Sequence, residues 1–328
     1  MRLLLAVIVI CSLAFPVFAL DREAFTFTNY DLDVRVEPEQ QRLGVRGRIT
    51  LRNDSTTPQN DVALQISSTL DWKSIQIAGK AVRFVSHEYT SDIDHTGSLS
   101  EAVVTLPREV PPQGTVDLDI GYEGIIPLDV TRLTRIGVPD ERAKHSDWDR
   151  IGKSFTAVRG IGYVVWYPVA TESANLSEGN SVFDTVGKWK SREQSSSVKI
   201  NLCFFGSKSA MPVAVMNDTG SKGGAGGSLG GATAGDKTAC GTHIYQPLGQ
   251  TVPLFAGANY SKLDRAATSF RYLPEHKTGV DNYALAADLA SPLVTDWFGA
   301  LKANVQVVDL PDSDALPFES GTMLLGTL

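Results

Sequence analysis

At 328 residues and a net charge of −7, the chain is long enough for about two domains. It lacks the basic excess of a protein that holds nucleic acid by bulk charge. Hydrophobic residues at 42% and charged residues at 20% exclude a disordered tail, a collagen and a coiled coil.

Residues 1–19 read as a secretory signal peptide. Arg2 supplies the positive start, residues 3–15 form an uncharged apolar run, and Val17-Phe18-Ala19 is a small-x-small cleavage site. The run falls short of the ~18–20 residues a spanning helix needs. Ile10 stands before Cys11 where a lipoprotein needs a small residue. The protein is therefore expected to be exported, periplasmic or extracellular, with no stable membrane span after signal cleavage. Two cysteines remain beyond residue 19, Cys203 and Cys240, each in a short strand-like run. Export permits a disulfide between them; two free thiols are the alternative.

From residue 25 the hydrophobic period is two. Tyr30, Leu32, Val34 and Val36 alternate with Asp31, Asp33, Arg35 and Glu37, and Leu43, Val45, Ile49 and Leu51 continue the pattern. Similar runs follow at 62–66, 75–77, 82–84 and 116–122, with turn signals at Asn53-Asp54-Ser55, Ala78-Gly79-Lys80 and Pro111-Pro112-Gln113-Gly114. Such spacing predicts antiparallel strands with one face on a core. No helix is predicted before residue 265. Residues 160–168 read as an aromatic strand ending at Pro168, residues 173–193 as mostly loop, and residues 198–216 as strands. Eight glycines in residues 220–235 predict a flexible loop at a hairpin tip.

Beyond residue 280 the period lengthens. Leu285, Leu289, Leu293, Trp297 and Leu301 are spaced by four, which is one face of a helix. Pro292 either kinks that helix or opens a second one capped by Ser291. Residues 304–310 and 322–328 read as strands, and a domain boundary is expected near residue 265.

Catalytic signals are sparse. No pair among His87, His95, His145, His243 and His276 has the i, i+4 spacing of a zinc helix. His87-Glu88 begins like HExxH, but position 91 is Ser. His145, Asp147 and Asp149 read as a solvated polar loop. The run Gly230-Gly-Ala-Thr-Ala-Gly235 has Asp236 before Lys237, which spoils a phosphate loop. No GxSxG occurs. Trp166-Tyr167-Pro168 is read as core packing or, alternatively, as the lining of a substrate channel. Four Asn-x-Ser/Thr sites, at Asn53, Asn175, Asn217 and Asn259, are expected to be surface polar residues.

The order of several segments resembles the N-terminal part of the aminopeptidase N family of zinc metallopeptidases, in a divergent bacterial form. Tyr30-Asp-Leu-Asp-Val-Arg-Val-Glu-Pro38 and Leu43-Gly-Val-Arg-Gly-Arg-Ile-Thr-Leu-Arg-Asn53 are similar to the family's opening hairpin. Ile120-Gly-Tyr-Glu-Gly124 is similar to the "Y-x-G" that closes its first sheet, and Tyr163-Val-Val-Trp-Tyr-Pro168 to its "W-F-P" segment. Trp297-Phe-Gly299 through Val307-Val-Asp-Leu-Pro311 resembles the opening of the thermolysin-like domain.

The resemblance implies a mainly β chain: a large antiparallel β-saddle or sandwich domain over 20–265, then the incomplete start of an α/β thermolysin-like domain over 266–328. In the family an HExxH helix and a downstream Glu hold zinc beyond the strand matching residues 323–328, and none of these residues stands here. The chain alone is expected to carry no catalytic residue, metal ligand or cofactor and to be an inactive, truncated fragment. Zinc and a peptide substrate belong to a full-length form. The family's Gly-x-Met-Glu-Asn strand, whose Glu holds the peptide amine, is matched by Gly321 and Met323, but Leu324 and Leu325 replace Glu and Asn. Glu319 lies earlier and is expected to point elsewhere. Glu319, Gly321, Met323 and Trp166 are the substrate-side candidates. The alternative reading is a non-enzymatic exported β-sandwich module that binds peptides or acts as a scaffold.

Overall fold

The computed structural model describes residues 20–206, 213–218, 237–265, 268–300 and 304–328. The signal-peptide reading of 1–19, the glycine-rich loop at 220–235 and Leu301 lie outside the described residues. Strands β1 (Phe25–Glu37), β2 (Arg42–Asn53), β3 (Gln59–Ser67), β4 (Leu70–Ile77), β5 (Lys80–Ala81), β6 (Phe84–Thr90), β7 (Ser98–Val110) and β8 (Thr115–Ile125) come first. Helices α1 (Thr131–Arg135) and α2 (Asp140–Ser146), strand β9 (Phe155–Val158) and helix α3 (Ser181–Glu193) follow. Then come β10 (Ser197–Gly206), β11 (Val213–Met216), β12 (Lys237–Tyr245), β13 (Phe255–Ala258), β14 (Ser261–Asp264) and β15 (Thr268–Tyr272). Helix α4 (Lys277–Phe298) precedes β16 (Val305–Asp309), β17 (Phe318–Ser320) and β18 (Met323–Gly326).

The chain is mainly β. A seven-stranded sheet in the order β12-β10-β1-β2-β8-β4-β5 faces the three-stranded sheet β3-β7-β6. The alternation in β1 decides its facing: Tyr30, Leu32, Val34 and Val36 are buried, while Asp31, Asp33 and Arg35 are exposed. Trp72 of β4 donates its indole N–H to the Ser100 carbonyl of β7 at 3.1 Å, tying the two layers. All ladders of the large sheet are antiparallel except β1–β10, which is parallel. Cys203 and Cys240 stand directly opposite in the β10–β12 ladder, 4.1 Å apart between Cα atoms, and are joined by a disulfide.

Two expectations for the middle of the chain are corrected. Residues 160–168 form no strand; they thread the core as an irregular segment with Ile161, Val164, Val165, Trp166 and Tyr167 all buried. Buried backbone without a ladder needs other partners, and side chains supply them. Tyr122 and Tyr30 donate their hydroxyls to the Trp166 and Pro168 carbonyls at 3.0 Å each, and Asp94 accepts the Val165 N–H at 2.8 Å. Burial on every side is why no period of two was needed there. Helices also occur well before residue 265. The longest, α3, lies where loop was expected; its Val182 and Trp189 are buried, and Trp189 packs 6.0 Å from Tyr167. Val182, Val186 and Trp189 have the i, i+4, i+7 spacing that identifies such a helix.

The remaining elements form the sheet β14-β15-β16-β18-β17, in which β15, β16 and β18 run parallel. Strand β14, which precedes residue 265, pairs with β15 in this sheet. One face packs Val308, Met323 and Leu325 against Trp148, Phe155 and Leu254 in a single core cluster. The other receives α4 through Val280 and Ala284, which sit on Phe270, Tyr272 and Val307. Helix α4 is continuous through Pro292. Its ridge of leucines is not the packed face: Leu285, Leu289, Leu293 and Trp297 are 60%, 69%, 59% and 73% exposed. No described helix is long and apolar enough to cross a membrane.

Candidate functional site at the junction of the two units

The substrate-side candidates divide between core and surface. Trp166 is fully buried, with ring centroids 5.0 Å from both Tyr167 and Phe255, so it packs the core of the large domain. Met323 is fully buried in the second core, under Trp148 and Leu254. Gly321 turns the β17–β18 hairpin with φ +63°, a left-handed conformation that favours glycine. Glu319 is exposed and directly opposite Leu324 across the β17–β18 ladder. Cross-strand partners share a face, so Glu319 points to the same side as Leu324. This corrects the expectation that it points elsewhere. The hairpin thus gathers Glu319, Gly321 and Met323, and leaves Trp166 in another layer.

Polar contacts fix the hairpin to the segments around Asn217 and Val252. Ser320 Oγ accepts from the Val252 N–H at 3.1 Å and donates to the Val252 carbonyl at 3.0 Å. Asn217 donates to the Val252 carbonyl at 2.8 Å and to that of Ser320 at 3.3 Å, while its Oδ1 accepts from the Tyr245 hydroxyl and the Leu254 N–H. Asn217 is therefore a buried joint, and Asn53 is buried as well, which corrects their reading as surface residues.

Beneath the hairpin lies a buried ion network. Arg132 meets Asp147 in two parallel bonds of 2.7 and 2.8 Å and donates to the Asp92 and Gly162 carbonyls. Burial alone would lower its guanidinium, but the Asp147 carboxylate outweighs that and holds it above its ordinary value. Arg159 bonds Asp149 at 2.9 and 2.6 Å and the Ser146 carbonyl at 2.6 Å. Its guanidinium lies 3.5 Å from the Tyr163 ring centroid and 3.9 Å from that of Trp148. Asp147 and Asp149 are wholly buried, not solvated as their polar surroundings suggested. The sequence shows the charges but not the aromatic planes that cover them.

At the rim, His145 Nδ1 lies 2.7 Å from Asp312 Oδ2. The Asp312 hydrogen bond raises the imidazole above its ordinary value. Burial works against Asp312, yet that imidazole and the Asp314 backbone N–H hold its carboxyl below the usual carboxylate range. Away from the junction, the Glu193 carboxyl at the end of α3 is pushed up to about 7 by burial, against the pull of Arg192. Its partners there are Arg192 and Ser196, which give it a structural setting.

Among the described residues, this junction holds neither a nucleophile paired with a base nor two imidazoles on one helix face. The donor set of a peptidase zinc, two His at i, i+4 with a Glu, is absent from the whole sequence. What the junction offers is the edge strand β17 with an exposed carboxylate.

No family model matches the sequence, and no curated protein matches it. Solved structures do match. An M1 zinc metallopeptidase from Deinococcus radiodurans is similar over 94% of this chain and 62% of its own, at 16% identity and a TM-score of 0.50. Native leukotriene A4 hydrolase from Saccharomyces cerevisiae is similar over 94% of this chain and 41% of its own, at 12% identity and a TM-score of 0.55. The yeast enzyme in complex with bestatin matches over 97% of this chain and 44% of its own, at 12% identity and a TM-score of 0.50. The chain thus spans less than two thirds of the length of the structures it matches. A β-rich domain followed by a sheet carrying one long helix, in the order read from the sequence, is the fold this chain shares with part of the M1 zinc metallopeptidases.

Proposed function

We propose that the chain is the N-terminal region of an exported zinc-dependent peptidase, which in full-length form hydrolyses peptides. The observation that carries this is the likeness over 94% of the chain to 62% of the Deinococcus M1 metallopeptidase. In such a protein the junction face would meet the peptide. β17 is the outer strand of its sheet, and an extended peptide can add to a strand edge by main-chain hydrogen bonds. Export is supported by the apolar segment at 3–15 and by the Cys203–Cys240 disulfide, a bond of oxidising compartments.

The reading frame downstream of codon 328 tests the proposal. A frame running into HExxH with a further Glu supports it; a stop codon at once would sink it. The purified chain should not turn over aminoacyl anilides, and turnover would equally sink it. One observation favours a second reading, a non-enzymatic peptide-binding or scaffold module. Leu324 and Leu325 occupy the positions matched to the family's Glu and Asn. Specific affinity of the isolated chain for extended peptides, with a downstream frame lacking HExxH, would decide for it.

A further inference from the structure

We propose that the bare flank of helix α4 is a homodimer interface, on which a second copy of this chain docks about a twofold axis. Tyr283, Leu285, Leu289, Leu293, Trp297 and Phe298 are each more than half exposed. Together they bare roughly 800 Å2, about the area one partner contributes to a standard interface. That exceeds the few hundred Å2 of contiguous apolar surface a monomer usually leaves in water. The helix itself needs the cover. Val280 and Ala284 are its buried residues, and beyond Ala284 it runs on for about four turns to Phe298. No side chain in that stretch is buried. A helical segment of that length is marginal in water on propensity alone, and Pro292 removes a backbone donor from it.

The surface is self-complementary. Leu285, Leu289, Leu293 and Trp297 form an i, i+4 ridge, and exposed Ala286 and Ala290, one position on, form a shallow groove of the same spacing beside it. A twofold axis crossing the middle of the ridge sets each copy's leucines against the other's alanines. Such a contact uses the same patch on both copies and closes at two. Charge argues against a lipid surface as the occupant. After Lys277 the helix carries Asp281, Asp288 and Asp296 and no basic residue, whereas a helix that lies on an anionic membrane carries Lys and Arg on its polar face. Lys277 meets Asp281 at 2.7 Å and Arg265 meets Asp288 at 3.5 Å. The dimer still gathers acidic residues at its rim, so added salt should strengthen it. This inference concerns the chain's own assembly and does not depend on the peptidase reading.

The test is sedimentation equilibrium of the full chain from micromolar to near-millimolar concentration, which should show conversion to a mass of two copies. Tryptophan emission should shift to the blue as Trp297 leaves water. Leu289→Glu and Leu293→Glu each alter an exposed side chain. Each should weaken association at least thirtyfold and leave the circular dichroism of the dilute chain unchanged. Ala290→Cys should cross-link two chains on mild oxidation, whereas Val85→Cys, exposed on β6, should not. At nanomolar concentration the monomer prevails, so unfolding measured there reads the ridge in water. Monomeric behaviour throughout the range would overturn the proposal and leave the ridge to a downstream segment or to lipid. So would a dimer that both glutamate variants retain within twofold, or open-ended growth with no two-copy plateau.

Discussion

Strand β1 and helix α4 each carry an apolar face in sequence, yet only β1 buries the face its period marks. In β1, Tyr30, Leu32, Val34 and Val36 are buried in the core, where Tyr30 meets Tyr167 and the Pro168 carbonyl of the irregular segment. In α4, the i, i+4 ridge from Leu285 to Trp297 faces outward, and the helix rests on Val280 and Ala284 instead. Periodicity reports that a face is apolar; it does not report what covers it. The difference is energetic, because an apolar side chain stabilises a fold only to the extent that water is removed from it.

The contrast can be broken or sharpened by substitution. The largest effect is expected beneath the hairpin. Arg159→Met strands the wholly buried Asp149, while Asp147 keeps its two bonds from Arg132, and should cost about 3–5 kcal/mol in urea unfolding. A loss below about 1 kcal/mol would show that the network is not sealed from water. Next, Cys203→Ser with Cys240→Ser frees a loop of sequence separation 37 and should cost about 3–4 kcal/mol, measured against the oxidised protein. Leu32→Ala should cost about 3 kcal/mol through lost burial and the cavity left behind.

Glu193 gives a pH-dependent case. Its folded value is raised from 4.5 to about 7. Its contribution is thus complete below about 4.5 and declines as pH rises to about 7, where the folded state must hold a buried carboxylate. Glu193→Gln should flatten that decline and leave the variant more stable at pH 8, by about 3 kcal/mol at most. Thermal melts from pH 4 to pH 8 check it; a parallel pair of profiles would refute it. The smallest effect belongs to α4. Leu289→Ala should stay within about 0.5 kcal/mol of the unmodified chain, because its side chain is already in water. A loss as large as that of Leu32→Ala would mean the ridge is covered in solution.

The fold was legible wherever one face of an element meets water. The hairpin β1–β2, strands β16 and β18, and the existence of α4 follow from alternation or four-residue spacing. Legibility failed where burial is two-sided or where partners are distant. Residues 160–168 are apolar throughout, so no period could distinguish a strand from a buried irregular segment. Helix α3 carries its signal in only three apolar positions, and the polar residues around them masked it. The site was legible in part. Glu319, Gly321 and Met323 do share one hairpin, but the side on which Glu319 stands depends on ladder register, which the turn at Gly321 sets. Asp147 and Asp149 are visible in the sequence only as part of a polar cluster with His145, and Arg132 and Arg159 carry no signal, since what makes all four notable is the absence of water around them.

The parallel ladder between β1 and β10 has a further consequence, for the order of assembly. Tyr30 pairs with Val198 and Leu32 with Ile200, so β1 receives its second neighbour only from a strand 168 residues further along the chain. Until then β1 keeps an open edge, ready to pair with any other extended chain. Closing so long a loop is slow. Nascent chains halted before residue 197 should therefore depend on chaperones, whereas chains released beyond residue 206 should close the ladder themselves.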